Sequence, residues 1–416
     1  MTQPKAEPPG QPDATDQRTA RWLTAGVGGI GAASLLADLG HEIPTALLPS
    51  LLTTTLGAPA AALGTIEGVA DGLAGAARLA GGALADDPTR RRATAVGGYT
   101  TTAVLSSLVG AATAAWQVGV LRAGAWAARG LRVPARNALL ADLVPPSVYG
   151  RAYGFERAMD NLGAIGGPLL ALGLVSLLGV RGAIGLSVIP GLLAALAIVD
   201  AIRRSPRAQA HQRQPLRLRI RPVLAGTLGR LMVGVACFEV GNVAATLLIL
   251  RASDLLAPAH GSQRATQLAL VLYTAYNLAA TLASVPAGRR GDRHSPIGVF
   301  GLGVALFALA YLGFAFTGAS VLALALWFVA AGVAIGAVET AEHAAVAALA
   351  PQALRGSAFG LLAAVQSLGN LAASAIAGLL WTAVSPRVAF AYLAGWMILA
   401  LLGLLPVARH TLRQAR

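Results

Sequence analysis

The chain has 416 residues, of which 56% are hydrophobic and only 12% are charged, and its mean hydropathy is +0.64. Soluble domains carry about twice that share of charged residues, so the composition excludes a soluble globular protein and indicates an integral membrane protein. The formal net charge of +14 comes from 31 arginines and one lysine. The single cysteine, Cys237, excludes an internal disulfide framework and a thiolate metal cluster.

Twelve apolar segments follow one another along the chain, and each is long enough to span a bilayer. Residues 1–20 are polar and predict a disordered tail without a cleavable signal peptide. An arginine-rich linker, 203–222, separates a first half, 21–202, from a second half, 223–408, and 409–416 form a short tail. The predicted spans are 22–52, 57–83, 94–115, 117–141, 152–179, 182–202, 223–250, 266–287, 297–317, 320–348, 356–380 and 387–408.

The distribution of positive charge predicts the orientation of these spans. The termini and the loops after even-numbered spans hold 21 Lys and Arg residues, whereas the loops after odd-numbered spans hold four. The positive-inside rule therefore predicts a multi-pass protein of the bacterial plasma (inner) membrane with both termini in the cytoplasm. This bias, together with the attraction of basic residues to the anionic headgroups of the lipid bilayer, accounts for most of the net positive charge. The positive charge is therefore no argument for binding of nucleic acid, and no such binding is expected.

Part of the first half recurs in the second half at an offset of 206 residues. Gly82-x-x-x-Asp86 returns as Gly288-x-x-x-Asp292, and six further matches share the offset. A second register, at an offset of 201, aligns Asp38-Leu39-Gly40-His41 with Glu239-Val240-Gly241-Asn242. A long repeat in an apolar chain predicts two duplicated membrane bundles with a pathway between them.

The loop after span 2 resembles a signature of the major facilitator superfamily, G-x-x-x-D-R-x-G-R-R. It reads Gly82-x-x-x-Asp86 and continues through Arg90, and Gly288-x-x-x-Asp292-Arg293 repeats it after span 8. The resemblance implies an all-α integral membrane protein with twelve transmembrane helices in two pseudo-symmetric six-helix bundles. It also implies that these residues lock the halves together, with Asp86 facing a helix N-terminus and Arg90 paired with an acid.

Span 5 resembles the antiporter signature of the same superfamily. Gly154, Gly163, Gly167 and Pro168 match it, and only its last pair of glycines is missing. The second half keeps Gly360 and Gly369 but has Ala373-Ser374 where the first half has Gly167-Pro168. In the superfamily this asymmetry goes with efflux, so the resemblance implies export. In span 4, Arg122 falls where the resemblance places a proton-coupling arginine.

Ionisable residues inside the spans are the candidates for binding substrate and protons, because charges in the bilayer must face the bundle interior or water. The repeat places Glu342 opposite Arg136, so a basic wall is expected to face an acidic one. Six acids and six arginines lie in the first half against three acids in the second, and this negative surplus favours a cationic or zwitterionic substrate. The candidates are Asp38, His41, Glu42, Arg122, Arg136, Glu239, Asn242, Glu339, Glu342 and His343.

Two substrates remain open. One is a small organic molecule exported against protons, and the other is a divalent metal ion such as nickel, cobalt or iron. Carboxylate and imidazole ligands for a metal substrate would be Asp38, His41, Glu342 and His343. A sensor or an enzyme is disfavoured, because no nucleotide-binding loop, metalloprotease motif or nucleophile elbow is present. We therefore expect a transporter that is not an enzyme, has no cofactor and acts as a monomer.

Overall fold

The computed structural model describes residues 22–205, 217 and 219–414. The predicted tail 1–20 and most of the linker 203–222 lie outside these residues. The first half contains six long helices: α1 Ala25–Ser50, α2 Ala60–Ala85, α3 Pro88–Leu108, α4 Ala115–Leu143, α5 Tyr149–Leu186 and α6 Val188–Arg204. A π-helical turn, Leu51–Thr55, extends α1.

The second half contains another six spans, the first of which is broken. A single turn, Ile220–Val223, precedes α7, which consists of two segments, Gly226–Gly241 and Ala245–His260. The remaining helices are α8 Ser262–Arg293, α9 Pro296–Phe316, α10 Val321–Leu349, α11 Arg355–Ala383 and α12 Pro386–Gln414. Helix α12 therefore continues six residues beyond the predicted end of span 12 at 408.

The helices form two bundles, and no strand occurs among the described residues. Within the first half α1 packs against α5 and α6, and α2 against α4, while in the second half α8 and α9 pack against α10. The halves contact each other through α2 and α11, α5 and α8, α5 and α10, and α4 and α11. The twelve-helix, two-bundle architecture predicted from the sequence is thereby confirmed.

The helices from Pro146 onward are long and apolar enough to cross a membrane by themselves, whereas α1–α4 are not. Charged, glycine and hydroxyl residues interrupt the apolar runs of these four helices. Many of the interrupting side chains face the interior rather than lipid: Asp38, Arg122 and Arg136 are all less than 6% exposed. Many polar residues of the first half thus face the interior of the bundle, as charged groups in a membrane must.

Two local features depart from uninterrupted spans. Gly179 has a left-handed conformation (φ 67°, ψ 177°), so α5 turns sharply at this residue and 180–186 already run with the next span. In α7 the helix opens at Asn242–Ala244, and side chains replace the missing backbone bonds. Tyr311 Oη accepts from the Val243 N–H, and Ser374 Oγ accepts from the Ala244 N–H. Irregular backbone inside a membrane bundle is stable only where it is satisfied in this way.

Candidate functional site

One end of the molecule is closed by two related carboxylates that cross between the halves. Asp86 follows α2 and accepts hydrogen bonds from the backbone N–H of Ser357 (2.8 Å) and from its hydroxyl. Asp292, near the end of α8, accepts from the N–H groups of Gly150 (2.6 Å) and Arg151 (3.1 Å). Each acid therefore caps the first turn of a helix of the opposite half, as the resemblance implied for Asp86. Burial raises the pKa of the Asp86 carboxyl, and the bonds from Ser357 oppose that rise.

Glycines allow the backbones to meet beside these acids. A Cβ on Gly82 would lie 2.8 Å from the Gly356 carbonyl oxygen, and a Cβ on Gly288 would overlap the carbonyl oxygen of Gly150. Gly154 of α5 lies in the same way against the Ser284 carbonyl of α8. Any larger residue would push the halves apart, so these positions form one contact surface, which we call the closed end.

The closed end also contains an ion-pair network that sequence reasoning missed. Asp142 at the end of α4 pairs with Arg91 of its own half and with Arg355 of the other half, the latter at 3.1 Å. Arg355 also donates to the Tyr149 hydroxyl, at 3.1 Å. Arg90, by contrast, forms its one ion pair among the described residues with the nearby Asp87, at 3.6 Å, on the same side of the contact between the halves.

The remaining sequence candidates for the lock take no part in these contacts between the halves. Arg293 is exposed, and so is Pro168 of α5. Arg293 and Pro168 match the sequence motifs, but neither side chain packs against the other half at the closed end.

A cavity of about 850 Å³ lies between the halves beyond the closed end. Its size is typical of a site for a small organic ligand. Along α2 a Cβ placed on Gly64, Gly68, Gly72 or Gly75 would meet no atom within 4 Å, and three of these glycines line the cavity. The end of the molecule opposite the closed end is therefore open along this face of α2.

Charges line this cavity in equal numbers, but they are divided between its walls. The wall of the first half carries five arginines and three aspartates, hence a formal charge of +2, whereas the wall of the second half carries two glutamates, hence −2. The residues are Arg78, Arg129, Arg132, Arg136, Arg157, Asp38, Asp71 and Asp160, facing Glu239 and Glu339. The negative surplus expected from the sequence is not found among the lining residues, although the basic wall facing an acidic wall is.

Asp38, His41 and Glu42 form one cluster on α1. His41 Nδ1 lies 3.2 Å from the Asp38 carboxylate, and its Nε2 lies 3.2 Å from that of Glu42. Arg129 of α4 reaches Asp38 at 3.6 Å from the cavity side. Asp38 lines the cavity, whereas His41 borders a separate buried space of about 10 Å³, enough for one water molecule.

Two glycines of the antiporter signature lie directly behind this cluster. A Cβ on Gly163 would lie 2.7 Å from the Asp38 Cβ, and a Cβ on Gly167 would overlap that of Glu42. In the second half, a Cβ on Gly369 would overlap that of Glu239. The aligned acids Asp38 and Glu239 are therefore held in equivalent positions by the aligned glycines Gly163 and Gly369.

The two candidate arginines of α4 have different partners. Arg122 binds Glu67 at 3.0 Å and the Thr45 hydroxyl at 3.1 Å, and it stacks 3.4 Å above the Trp126 ring, away from the cavity lining. Arg136 lines the cavity and pairs with Glu156 at 2.8 Å and, more loosely, with Asp160. Glu67 is not among the sequence candidates, and its contact with Arg122 makes it part of the same polar layer.

The acids of the second half have few partners. Glu239 accepts a hydrogen bond from Asn242 at 3.0 Å, and both line the cavity. Glu339 is 30% exposed at its side chain and approaches Arg157 at 4.0 Å. Glu342 is fully buried and accepts from Gln366, while its Oε1 has no partner among the described residues. The imidazole of His343 lies beside the rings of Tyr153 and Phe359 and borders the cavity.

A two-bundle helical protein with a polar cavity between its halves and a glycine-lined closed end is a multi-pass membrane transporter. The sequence profile described as Major Facilitator Superfamily matches residues 30–253 and 252–416. The chain belongs to this superfamily, as the motifs of its loops implied.

Similar proteins support this assignment. The chain is 27% identical over 374 residues to an uncharacterized MFS-type transporter of Methanocaldococcus jannaschii, covering 89% of this chain and 92% of that protein. Its fold is similar to that of a bacterial homologue of the iron transporter ferroportin in an outward-facing state (TM-score 0.74, 15% identity, 92% and 99% of the two chains). It is also similar to the superfamily transporter FucP in an outward conformation (TM-score 0.69, 14% identity, 93% and 99%).

Proposed function

We propose that this transporter is a proton-coupled antiporter that exports a small cationic or zwitterionic organic molecule. The observation that carries the proposal is the pair of acids Asp38 and Glu239, one from each half, at equivalent positions in one cavity. Carboxylates that are open to the cavity can hold either a proton or the positive group of a substrate. Competition between the two for the same carboxylate is the simplest basis of antiport.

The closed and open ends supply the conformational part of the proposal. Asp86 and Asp292 hold one end shut through backbone hydrogen bonds, which are individually weak enough to exchange. The glycines of α2 at the other end offer a surface on which a second closed end can form. Rocking of the two halves around the cavity then exposes the site alternately to each side.

The direction and location follow from the sequence patterns. The excess of Lys and Arg near the closed end supports an orientation in a bacterial plasma membrane with that end and both termini on the cytoplasmic side. The signature glycines of α5, which pack behind Asp38 and Glu42, favour export. Protons entering from outside would neutralise the cavity acids, release the substrate outward and return with the emptied transporter. The bilayer, protons and the substrate are the partners proposed, with the monomer as the working unit.

Metal export is the second candidate. The superfamily fold is shared with a homologue of an iron transporter, and Asp38 and His41 lie side by side. Against it, no group of three or more His, Cys, Asp or Glu side chains among the described residues is arranged to hold a metal ion. The other two proposed metal ligands also have neighbours of their own: Glu342 accepts a hydrogen bond from Gln366, and His343 lies beside aromatic rings. We therefore favour the organic substrate.

The test is solute flux in proteoliposomes across a set of radiolabelled small cations and zwitterions, with nickel, cobalt and iron in parallel. We expect an inward proton gradient to drive export of at least one organic solute, and an uncoupler to abolish that gradient-driven part. Asp38→Asn should transport at the uncoupled rate. Gradient-independent transport by wild type and Asp38→Asn alike would contradict antiport, and gradient-driven flux of a metal alone would favour the second candidate.

A further inference from the structure

Arg78 of α2 is a cationic group of the cavity whose acidic neighbours, Asp71 and Glu239, attract it without forming an ion pair. Its guanidinium donates to the Ala363 carbonyl of α11 at 3.1 Å, and it forms no ion pair within the part of the chain that the structure describes. Its Nε is buried and has no hydrogen-bond acceptor among the described residues. A buried guanidinium with unused donors is unfavourable unless something else binds it.

The other four arginines of the same wall differ in how many acidic side chains already contact them. Arg136 and Arg157 each contact both Glu156 and Asp160. Arg132 is 3% exposed and lies 4.0 Å from the centre of the Tyr99 ring. Arg129 is 28% exposed at its side chain and has a single, long contact of 3.6 Å to Asp38. Arg132 also has an Nε without an acceptor among the described residues, but it is buried, so Arg78 and Arg129 are the two partly exposed cations of the wall that lack a close ion pair.

The facing wall presents the opposite charge. Among the described residues, Glu239 accepts one side-chain hydrogen bond, from Asn242, and Glu339 has one ion-pair contact, at 4.0 Å, to Arg157. That contact is the only ion pair between the two walls among the described residues. Apart from this contact, the cavity of about 850 Å³ separates the wall of the first half, which has a net positive charge, from the wall of the second half, which has a net negative charge.

We infer that the substrate is a dipolar molecule, with an anionic group that binds Arg78 and Arg129 and a cationic group that binds Glu239 and Glu339. This inference rests on the proposed transport function and narrows its substrate class from cations and zwitterions to zwitterions. A simple cation would bring no anionic group to Arg78, and a simple anion would bring no cationic group to Glu239. A carboxylate or phosphate matches the planar fork of the guanidinium groups, and an ammonium matches the two glutamates.

The experiment measures binding rather than transport, by thermal unfolding of the purified protein in lipid nanodiscs. Two matched series serve as probes: phenylalanine and the dipeptide phenylalanyl-alanine, each with its amide (a cation) and its N-acetyl derivative (an anion). We expect at least one zwitterion to bind about tenfold more tightly than both of its singly charged counterparts. If no zwitterion is preferred in either series, whether through equal binding or through none, the inference is wrong.

Substitutions assign each end of the ligand to a wall. Arg78→Gln should weaken binding of the zwitterion about tenfold and leave the cation unchanged, whereas Arg78→Lys should retain the preference. Glu239→Gln should remove the advantage of the zwitterion over the anion. Surface controls are Arg204→Gln and Asp254→Asn, both on exposed side chains, and should change nothing. Equal weakening of all probes by Arg78→Gln would contradict a role in binding the anionic group.

The binding experiment can succeed or fail independently of the proposal of proton-coupled antiport. Ligand binding in nanodiscs needs no proton gradient, so a zwitterion preference without gradient-driven flux would overturn antiport and leave the dipolar site standing. Gradient-driven export of simple cations, with no zwitterion preference in binding, would support antiport and overturn the dipolar site.

Discussion

Gly369 of α11 packs directly against Glu239 of α7, so closely that a Cβ on the glycine would overlap the Cβ of the glutamate. Gly163 has the same relationship to Asp38 in the other half. The two pairs are aligned by the internal repeat, although the acids and the glycines follow different offsets. Glycine at these positions lets each acidic side chain lie against a neighbouring helix, and this fixes where its carboxylate enters the cavity.

Substitution of Gly369 should therefore disturb the acid rather than the fold at large. We expect Gly369→Ala to displace Glu239 and to reduce gradient-driven transport at least tenfold, because a shift of about 1 Å at a functional group has effects of this size or larger. The matched control is Gly378→Ala on the same helix, where an added Cβ meets nothing within 4 Å. Transport rates in proteoliposomes measure both, and equal activity of the two variants would argue against the contact's importance.

Asp86 offers a test of the closed end. In a Cys237→Ser background, Ser367→Cys places a thiol on the cavity wall that a membrane-impermeant maleimide can reach through the open end. Asp86→Asn weakens the bonds to Ser357, which should shift the equilibrium toward opening of the closed end by about 1–2 kcal/mol and slow labelling from outside.

The control is the adjacent acid. Asp87 bonds only within its own loop, where it caps α3 through the Thr89 and Arg90 N–H groups. Asp87→Asn should leave the labelling rate near that of the background protein. If both substitutions slow labelling equally, the effect belongs to the loop and not to the contact between the halves.

The open face of α2 predicts how the opposite closure is made. Gly72 has no neighbour at its Cβ position in this state, so Gly72→Leu should fold normally. The larger side chain should nevertheless block approach of the halves at this end and trap the protein with its cavity open outward. Labelling of Ser367→Cys should stay high while transport falls. Gly97→Leu, at an exposed glycine of α3 that is equally free of neighbours, is the control, and loss of transport in both variants would contradict this reasoning.

Asp142 should matter for stability because it is the acid shared by Arg91 and Arg355. Asp142→Asn leaves two largely buried arginines without a counter-charge, and we expect a loss of about 1–3 kcal/mol, below the range for fully buried pairs because Asp142 is partly exposed. Asp200→Asn breaks an exposed pair with Arg204 and should cost clearly less than Asp142→Asn, because solvent screens exposed pairs. Chemical unfolding in detergent measures the difference, and equal losses would refute the role of the network.

Much of the fold was accessible from sequence because length and hydropathy set the spans and the repeat set the two bundles. The motif around Asp86 also indicated its place at a helix N-terminus. The break in α7 was not predictable in the same way: Asn242–Ala244 continues an apolar run, and the partners that allow the break, Tyr311 and Ser374, come from distant helices. Ser374 stands at the position of Pro168, so one difference between the halves supports the break.

The candidate site was predicted less completely for a physical reason. Sequence places a charge on a helix but does not tell which neighbour it meets. Arg122 and Glu342 were expected in the cavity, yet Arg122 binds Glu67 outside the lining and Glu342 is sealed beside Gln366. Arg78, which is not among the sequence candidates, lines the cavity. Adding formal charges along the chain therefore suggested a negative surplus, whereas packing divides the lining charges between two walls.

The most direct test of the central claim is the movement of protons that accompanies export. Proteoliposomes are loaded with a transported substrate and a pH-sensitive dye and diluted into substrate-free medium. Antiport predicts that the lumen acidifies as the substrate leaves, and that Asp38→Asn and Glu239→Gln abolish this acidification. Exit of the substrate from wild-type vesicles with no change in internal pH would contradict the account.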